Sequence, residues 1–161
     1  MTHAYPNLFV AGAQKKLGYF IDACINTLHM SANETVRLFL DSGMGEYFEE
    51  GNPRFVVGRS GKELVMDCHY FLGLPEPDLR DTVLSRGPEY WAGWTLAYYQ
   101  WYSNKSFEEI LSKIPLDSLI DAYFALHEVP LQKIVHEMDV TMGADESETI
   151  SQAKPEEQAT G

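Results

Sequence analysis

The chain has 161 residues, of which 45% are hydrophobic, 12% aromatic and 22% charged, and this composition excludes a chain that is disordered throughout. Twelve basic against twenty-four acidic residues give a net charge of −12, which makes a nucleic-acid ligand an unfavoured partner. No apolar run approaches the ~20 residues of a membrane-spanning helix, and the start of the chain lacks the basic region of a signal peptide, so we expect no membrane association.

The first predicted elements are two helices joined by a turn, over residues 12–42. From Leu17 to Leu28 the apolar residues recur every three or four positions, which is the spacing of one helix face. Ser31 with a glutamate three residues later forms a capping box that begins the second helix. Gly43 has the favoured position for ending it.

A short stretch after this unit changes character. Turn residues at 51–53 precede the β-favouring run Phe55–Val57, which predicts a strand or an extended connector. A second capping box begins at Ser60 and predicts a helix over residues 60–73. Residues 78–85 are expected to form a further short helix.

An aromatic helix is predicted from Pro88 to about Ser103, because proline is favoured in the first helical position. A helix that is apolar nearly all round belongs in the middle of a fold, and we therefore expect its three tryptophans to be largely buried. Rings at helical spacing can also stack a ring-shaped cofactor or anchor a partner protein. For that alternative the candidate binding residues are Tyr90, Trp94 and Tyr98.

The remaining helices follow similar signals. A third capping box begins at Ser106, an apolar stripe runs from Leu116 to His127, and Pro130 begins the last helix. Residues 143–161 contain five acidic residues and one lysine, too few apolar side chains to offset the entropy of ordering, and are predicted to be a disordered acidic tail.

These elements predict a mainly α fold. We expect a single-domain bundle of six to eight helices over residues 1–142, with at most one short strand or hairpin near residues 54–58.

The sequence contains few patterns that indicate chemistry. The five histidines are not in the His-Glu-x-x-His spacing and the two cysteines are unpaired, so no metal site or cofactor is predicted. Cys24 and Cys68 are interpreted as reduced core residues of a cytoplasmic protein. The glycines and lysine near residue 60 lack the phosphate-loop spacing.

One basic group remains as a candidate anion-binding site at a helix start, with a capped helix start as the structural alternative. Its residues are Arg54, Arg59, Ser60 and Lys62.

Three stretches carry a resemblance to a known group of proteins. They are LGYFIDACINTLHMSANETVRLFLDSG, GNPRFVVGRSGKEL, and the pair YWAGWTLAYYQWYSNKSFEEIL and PLDSLIDAYFALHE. They resemble small, uncharacterised bacterial proteins, common in gut Firmicutes and Actinobacteria, that are often encoded beside proteins with an ADP-ribosyltransferase-like fold. The resemblance covers roughly residues 15–140, and its motifs are helix-packing patterns that place no catalytic residue. It implies the non-catalytic, neutralising member of a toxin–antitoxin pair.

The sequence therefore favours a protein-binding function without catalysis, such as an antitoxin-like inhibitor of an ADP-ribosyltransferase-like toxin. One alternative is a helix-turn-helix regulator, although its candidate recognition helix, residues 31–42, carries two acidic residues against one arginine. Another is a phage-encoded, anti-CRISPR-like inhibitor that mimics nucleic-acid charge. A third is an enzyme whose site lies around the basic group at residues 54–62.

Overall fold

The computed structural model describes residues 2–153, and the mainly α prediction is confirmed for them: they form ten α-helices and no strand. A 3₁₀ turn precedes the first helix, and a π-helical turn, Ala23–Thr27, follows it. Over residues 2–153 the structure contains no helix with the length and apolar character needed to cross a membrane. The helices are α1 (Val10–Asp22), α2 (Ala32–Asp41), α3 (Met44–Glu49), α4 (Pro53–Val56), α5 (Gly61–Phe71), α6 (Pro88–Ser103), α7 (Phe107–Lys113), α8 (Leu116–Asp121), α9 (Tyr123–Leu126) and α10 (Leu131–Ala153).

Helices α1 and α6 form the centre of the bundle and share its most extensive contact. Their backbones approach closely at two glycines. A Cβ atom on Gly93 of α6 would lie 2.6 Å from the carbonyl oxygen of Leu17, and one on Gly18 of α1 would lie 2.6 Å from the ring of Tyr90. Since real Cβ atoms do not approach so closely, the crossing depends on the absence of side chains at both positions.

The prediction that the aromatic helix is central is confirmed for most of its rings. Tyr99 is fully buried, and Trp91 and Trp101 are also in the core. The Trp101 indole Nε1 donates to the Tyr5 carbonyl oxygen at 2.7 Å, which fastens the N-terminal segment to α6. Trp94 is less buried than these two tryptophans, because it lines a surface pocket.

Two local predictions are wrong. The run Phe55–Val57 was expected to be extended, but Pro53–Val56 is helix α4. The Asn52 side chain accepts from the backbone N–H of Arg54 and caps this helix, and Phe55 is buried. Capping and burial of the helical turn outweigh the β propensity of the three residues. Residues 78–85 form a turn within an irregular segment instead of a helix.

The capping boxes at Ser31 and Ser60 are confirmed, with both reciprocal hydrogen bonds present in each. At Ser106 the hydroxyl accepts from the backbone N–H of Glu109 at 3.0 Å. In a capping box the Glu109 carboxylate would accept from the Ser106 backbone N–H. Here it lies 4.0 Å from the Lys105 Nζ.

The described part of the chain contains more helices than the six to eight expected. Helix α3 had no predicted counterpart and α4 replaces the expected strand, while the stripe from Leu116 to His127 divides into α8 and α9.

The last helix reaches Ala153 and therefore extends past residue 142, the predicted end of the domain. Before that point it joins the core, where the Tyr99 hydroxyl donates to Asp139 Oδ1 at 2.6 Å. Residues 154–161, the end of the predicted acidic tail, lie outside the described residues. For residues 154–161 the disordered tail thus stays a prediction.

Candidate functional site

The basic group predicted near residue 60 is used internally. Arg59 donates from Nε and Nη2 to the two carboxylate oxygens of Asp67, at 2.9 and 2.8 Å. Its Nη1 lies 3.7 Å from Glu63, and the hydrogen bond to Asp67 raises the pKa of Arg59. Ser60 caps α5. These contacts form a capped helix start, which was the structural alternative.

The two remaining cations of this group do not converge with Arg59. Arg54 is exposed, and its guanidinium carbon lies 5.2 Å from the centre of the Phe55 ring. Lys62 lines a different cavity, together with Met66 and Arg80. The structure therefore does not bring Arg54, Arg59 and Lys62 together around one anion.

The cysteines are buried, free thiols, as expected of core residues. Burial raises the pKa of Cys68 to about 12 and raises that of Cys24 as well. Such thiols are poor nucleophiles, because the thiolate is the reactive form. His69 donates from Nδ1 to the Val65 carbonyl oxygen at 2.8 Å, within its own helix. Among residues 2–143, whose side chains the structure describes, no group of three metal-ligating side chains is placed to hold a metal ion.

A surface groove with a volume of about 730 Å³ lies between α2 and α5. We call it the α2–α5 groove. Apolar side chains line it from three segments: the end of the π-helical turn, helix α2, and the loop after α5. They are Leu28, Met30, Leu38, Leu72, Leu74, Pro75 and Pro77.

Acidic residues predominate beside this groove. Glu34 and Asp41 line it, with Arg37 between them on α2. Arg37 lies 3.3 Å from Asp41 and is partly neutralised by it. Glu76 is exposed between the two lining prolines. An apolar floor with a polar, charged edge is the usual anatomy of a protein-binding surface.

The groove continues into an exposed apolar patch at the end of α5, which we call the 70–74 patch. Four of its five residues have large apolar side chains, and these are between 38% and 80% exposed. Sequence reasoning assigned residues 60–73 to a helix and missed the patch, because periodicity shows which residues share a face but not which face remains uncovered. The four residues are Tyr70, Phe71, Leu72 and Leu74.

A second site lies at the edge of the aromatic helix. This aromatic pocket has a volume of about 390 Å³. It brings Tyr90 and Trp94, both candidates from the sequence, together with residues that the sequence did not connect with them. Tyr98 is elsewhere and packs near Trp101, with 5.5 Å between ring centres. The rings and cation of the pocket are Arg86, Tyr90, Trp91, Trp94, Tyr123 and His127.

The position of Arg86 follows from a buried carboxylate. Asp22, 1% exposed, accepts from the backbone N–H of Ser85 at 2.9 Å and from the amide of Asn26 at 2.7 Å. This anchors the irregular segment just before α6. Arg86 then lies over Tyr19, and its Nε donates to the Tyr19 hydroxyl at 2.8 Å.

No protein-family model matches the chain, and no match to it was found among curated proteins or solved structures. The resemblance described above therefore stays a prediction, and functional inference depends on the two sites themselves.

Proposed function

We propose that this protein acts by binding another protein through the α2–α5 groove and the 70–74 patch, and that it has no catalytic turnover of its own. The observation that carries the proposal is the patch: four large apolar side chains within five residues are exposed beside an apolar groove. Scattered apolar residues are normal on a protein surface, but contiguous patches mark interaction sites.

The charge around the groove indicates the chemistry of the partner. Glu34, Asp41 and Glu76 outnumber Arg37, the cation among them, and the whole chain carries −12. The complementary surface is an amphipathic segment with apolar side chains on one face and Lys or Arg on its borders. Attraction of this kind increases the association rate more than the affinity, and the added rate should decrease with salt.

For the biological role, we propose that binding neutralises a partner enzyme. The resemblance implies an ADP-ribosyltransferase-like toxin encoded nearby. The acidic surface supports this, because an enzyme that binds a nucleotide cofactor needs a positively charged cleft, which an acidic protein can cover. The cytoplasmic location is part of the same proposal.

The alternative of a DNA-binding regulator is less well supported. Helix α2, its candidate recognition helix, has Arg37 as its single basic residue. Arg37 is paired with Asp41 on the same helix. An exposed helix face without an unpaired cation is poorly suited to a groove lined with phosphates.

The test is co-expression with the product of the adjacent gene, followed by affinity measurement with purified proteins. We expect the two to co-purify and Leu74→Lys to weaken binding about tenfold or more, since a charge in the groove is repelled by a basic partner and leaves its apolar side chains unpaired. Leu74 is exposed, so the variant should fold.

The matched control is Leu8→Lys. Leu8 is 78% exposed, lies in the turn before α1, and receives the same substitution with the same change in net charge. The affinity of Leu8→Lys for the product of the adjacent gene should equal that of the unmodified protein. Equal weakening in both variants would indicate a loss of general charge attraction, and failure to co-purify would refute the proposed partner.

A further inference from the structure

The aromatic pocket is separate from the α2–α5 groove and shares no lining residue with it. Its volume of about 390 Å³ is within the range of small-molecule sites, about 300–1,000 Å³. Such sites combine apolar and aromatic walls with a few polar groups that orient the ligand. The pocket has this composition, with one cation and one imidazole among aromatic and aliphatic side chains.

Arg86 is the cation, and its own contacts leave it available. The guanidinium carbon lies 5.6 Å from the centre of the Tyr19 ring and 5.1 Å from that of Tyr90. The two ring contacts and the Nε bond to Tyr19 hold the guanidinium beside the pocket, while the Nη groups retain donors for a ligand. No carboxylate in the described part of the chain pairs with Arg86, although acidic residues outnumber basic ones two to one.

His127 supplies a different polar atom to the pocket. Its Nδ1 lies 2.7 Å from the carbonyl oxygen of Tyr123. A carbonyl can only accept, so Nδ1 carries the hydrogen and Nε2 is the ring nitrogen left to contact a ligand. The ring is stacked on Tyr123, with 4.1 Å between ring centres and 16° between planes. Glu128, 3.7 Å from Nε2, disfavours a second anion at this position.

We propose that the aromatic pocket binds a small carboxylate that carries a planar aromatic ring. The carboxylate pairs with Arg86, the ring packs among Tyr90, Trp94 and Tyr123, and a polar atom on the ring can hydrogen-bond Nε2 of His127. A planar guanidinium matches a carboxylate in two parallel hydrogen bonds, which a point charge does not. The other acidic residues of the protein repel the carboxylate of the ligand, but salt screens this repulsion over distances of about 8–10 Å.

The experiment uses indole-3-acetate as the probe, with the uncharged indole-3-acetamide as its charge control, and measures binding by calorimetry and ligand-observed NMR on the full chain. We expect indole-3-acetate to bind with a Kd of about 1 mM or lower, from the affinity that a ligand of its size usually reaches. The amide should bind at least about tenfold more weakly, because it lacks the charge-assisted hydrogen bonds.

Two variants locate the site. Arg86→Met keeps the apolar stem and removes the charge, and we expect about tenfold or greater loss of indole-3-acetate affinity. Arg80→Met is the matched control: Arg80 is 85% exposed, pairs with Asp78 and lies outside the pocket. The affinity of Arg80→Met for indole-3-acetate should remain unchanged. The proposal is overturned by undetectable binding of indole-3-acetate, by equal binding of the amide, or by equal effects of the two variants. None of these results depends on the protein partner.

Discussion

Replacing Gly93 by alanine is expected to lower the free energy of unfolding by about 1–3 kcal/mol, the usual cost of adding a methyl group to a filled core. The added Cβ would lie 2.6 Å from the Leu17 carbonyl oxygen and 2.8 Å from the Gly18 Cα. Both are backbone atoms that no side-chain rotation can remove. The central α1–α6 crossing would therefore have to widen.

The control for this prediction is the same substitution at Gly143 in α10. A Cβ there would meet nothing within 4 Å, and alanine favours a helix over glycine by about 0.5–1 kcal/mol. Gly143→Ala should thus leave stability unchanged or increase it. Chemical denaturation followed by circular dichroism measures both variants. A neutral result for Gly93→Ala would contradict the close crossing.

The second large effect is expected at Trp101. Trp101→Ala should cost about 3–5 kcal/mol, as for other buried tryptophans. The indole is 6% exposed, stacks on His3 at 4.0 Å between ring centres, and donates to the Tyr5 carbonyl oxygen. Its removal leaves a cavity and an unpaired carbonyl, and it releases the N-terminal segment from α6.

Trp94→Ala provides the comparison on the same helix. Because Trp94 is half-buried at the aromatic pocket, its truncation should cost clearly less than that of Trp101. The same denaturation experiment measures both. A loss below about 1 kcal/mol for Trp101→Ala, or equal losses for the two variants, would contradict the burial assigned to α6.

Features of the fold that depend on neighbouring residues could be predicted from the sequence. The caps at Ser31 and Ser60 satisfy N–H groups only three residues away, and the length of α6 follows from Pro88 and the run of rings. Helix α4 was missed because its stability depends on tertiary burial of Phe55, which local propensity does not report.

The candidate sites were harder to predict than the helices. Tyr90 and Trp94 were identified as binding candidates, but the pocket around them also needs Arg86 and His127, which are far apart in sequence. For the basic group near residue 60 the sequence left open an anion site and a capped helix start, because its spacing did not indicate that Asp67 pairs with Arg59. The 70–74 patch depends on which helix face the bundle leaves uncovered, and only the assembled fold shows that.

The most direct test of the proposed function is hydrogen exchange of the protein alone and in complex with the product of the adjacent gene, read by mass spectrometry. Binding through the α2–α5 groove predicts slower exchange in peptides from residues 70–77 and from α2, with little change in residues 54–62. Slower exchange confined to α6 or to residues 54–62, with residues 70–77 unchanged, would contradict it.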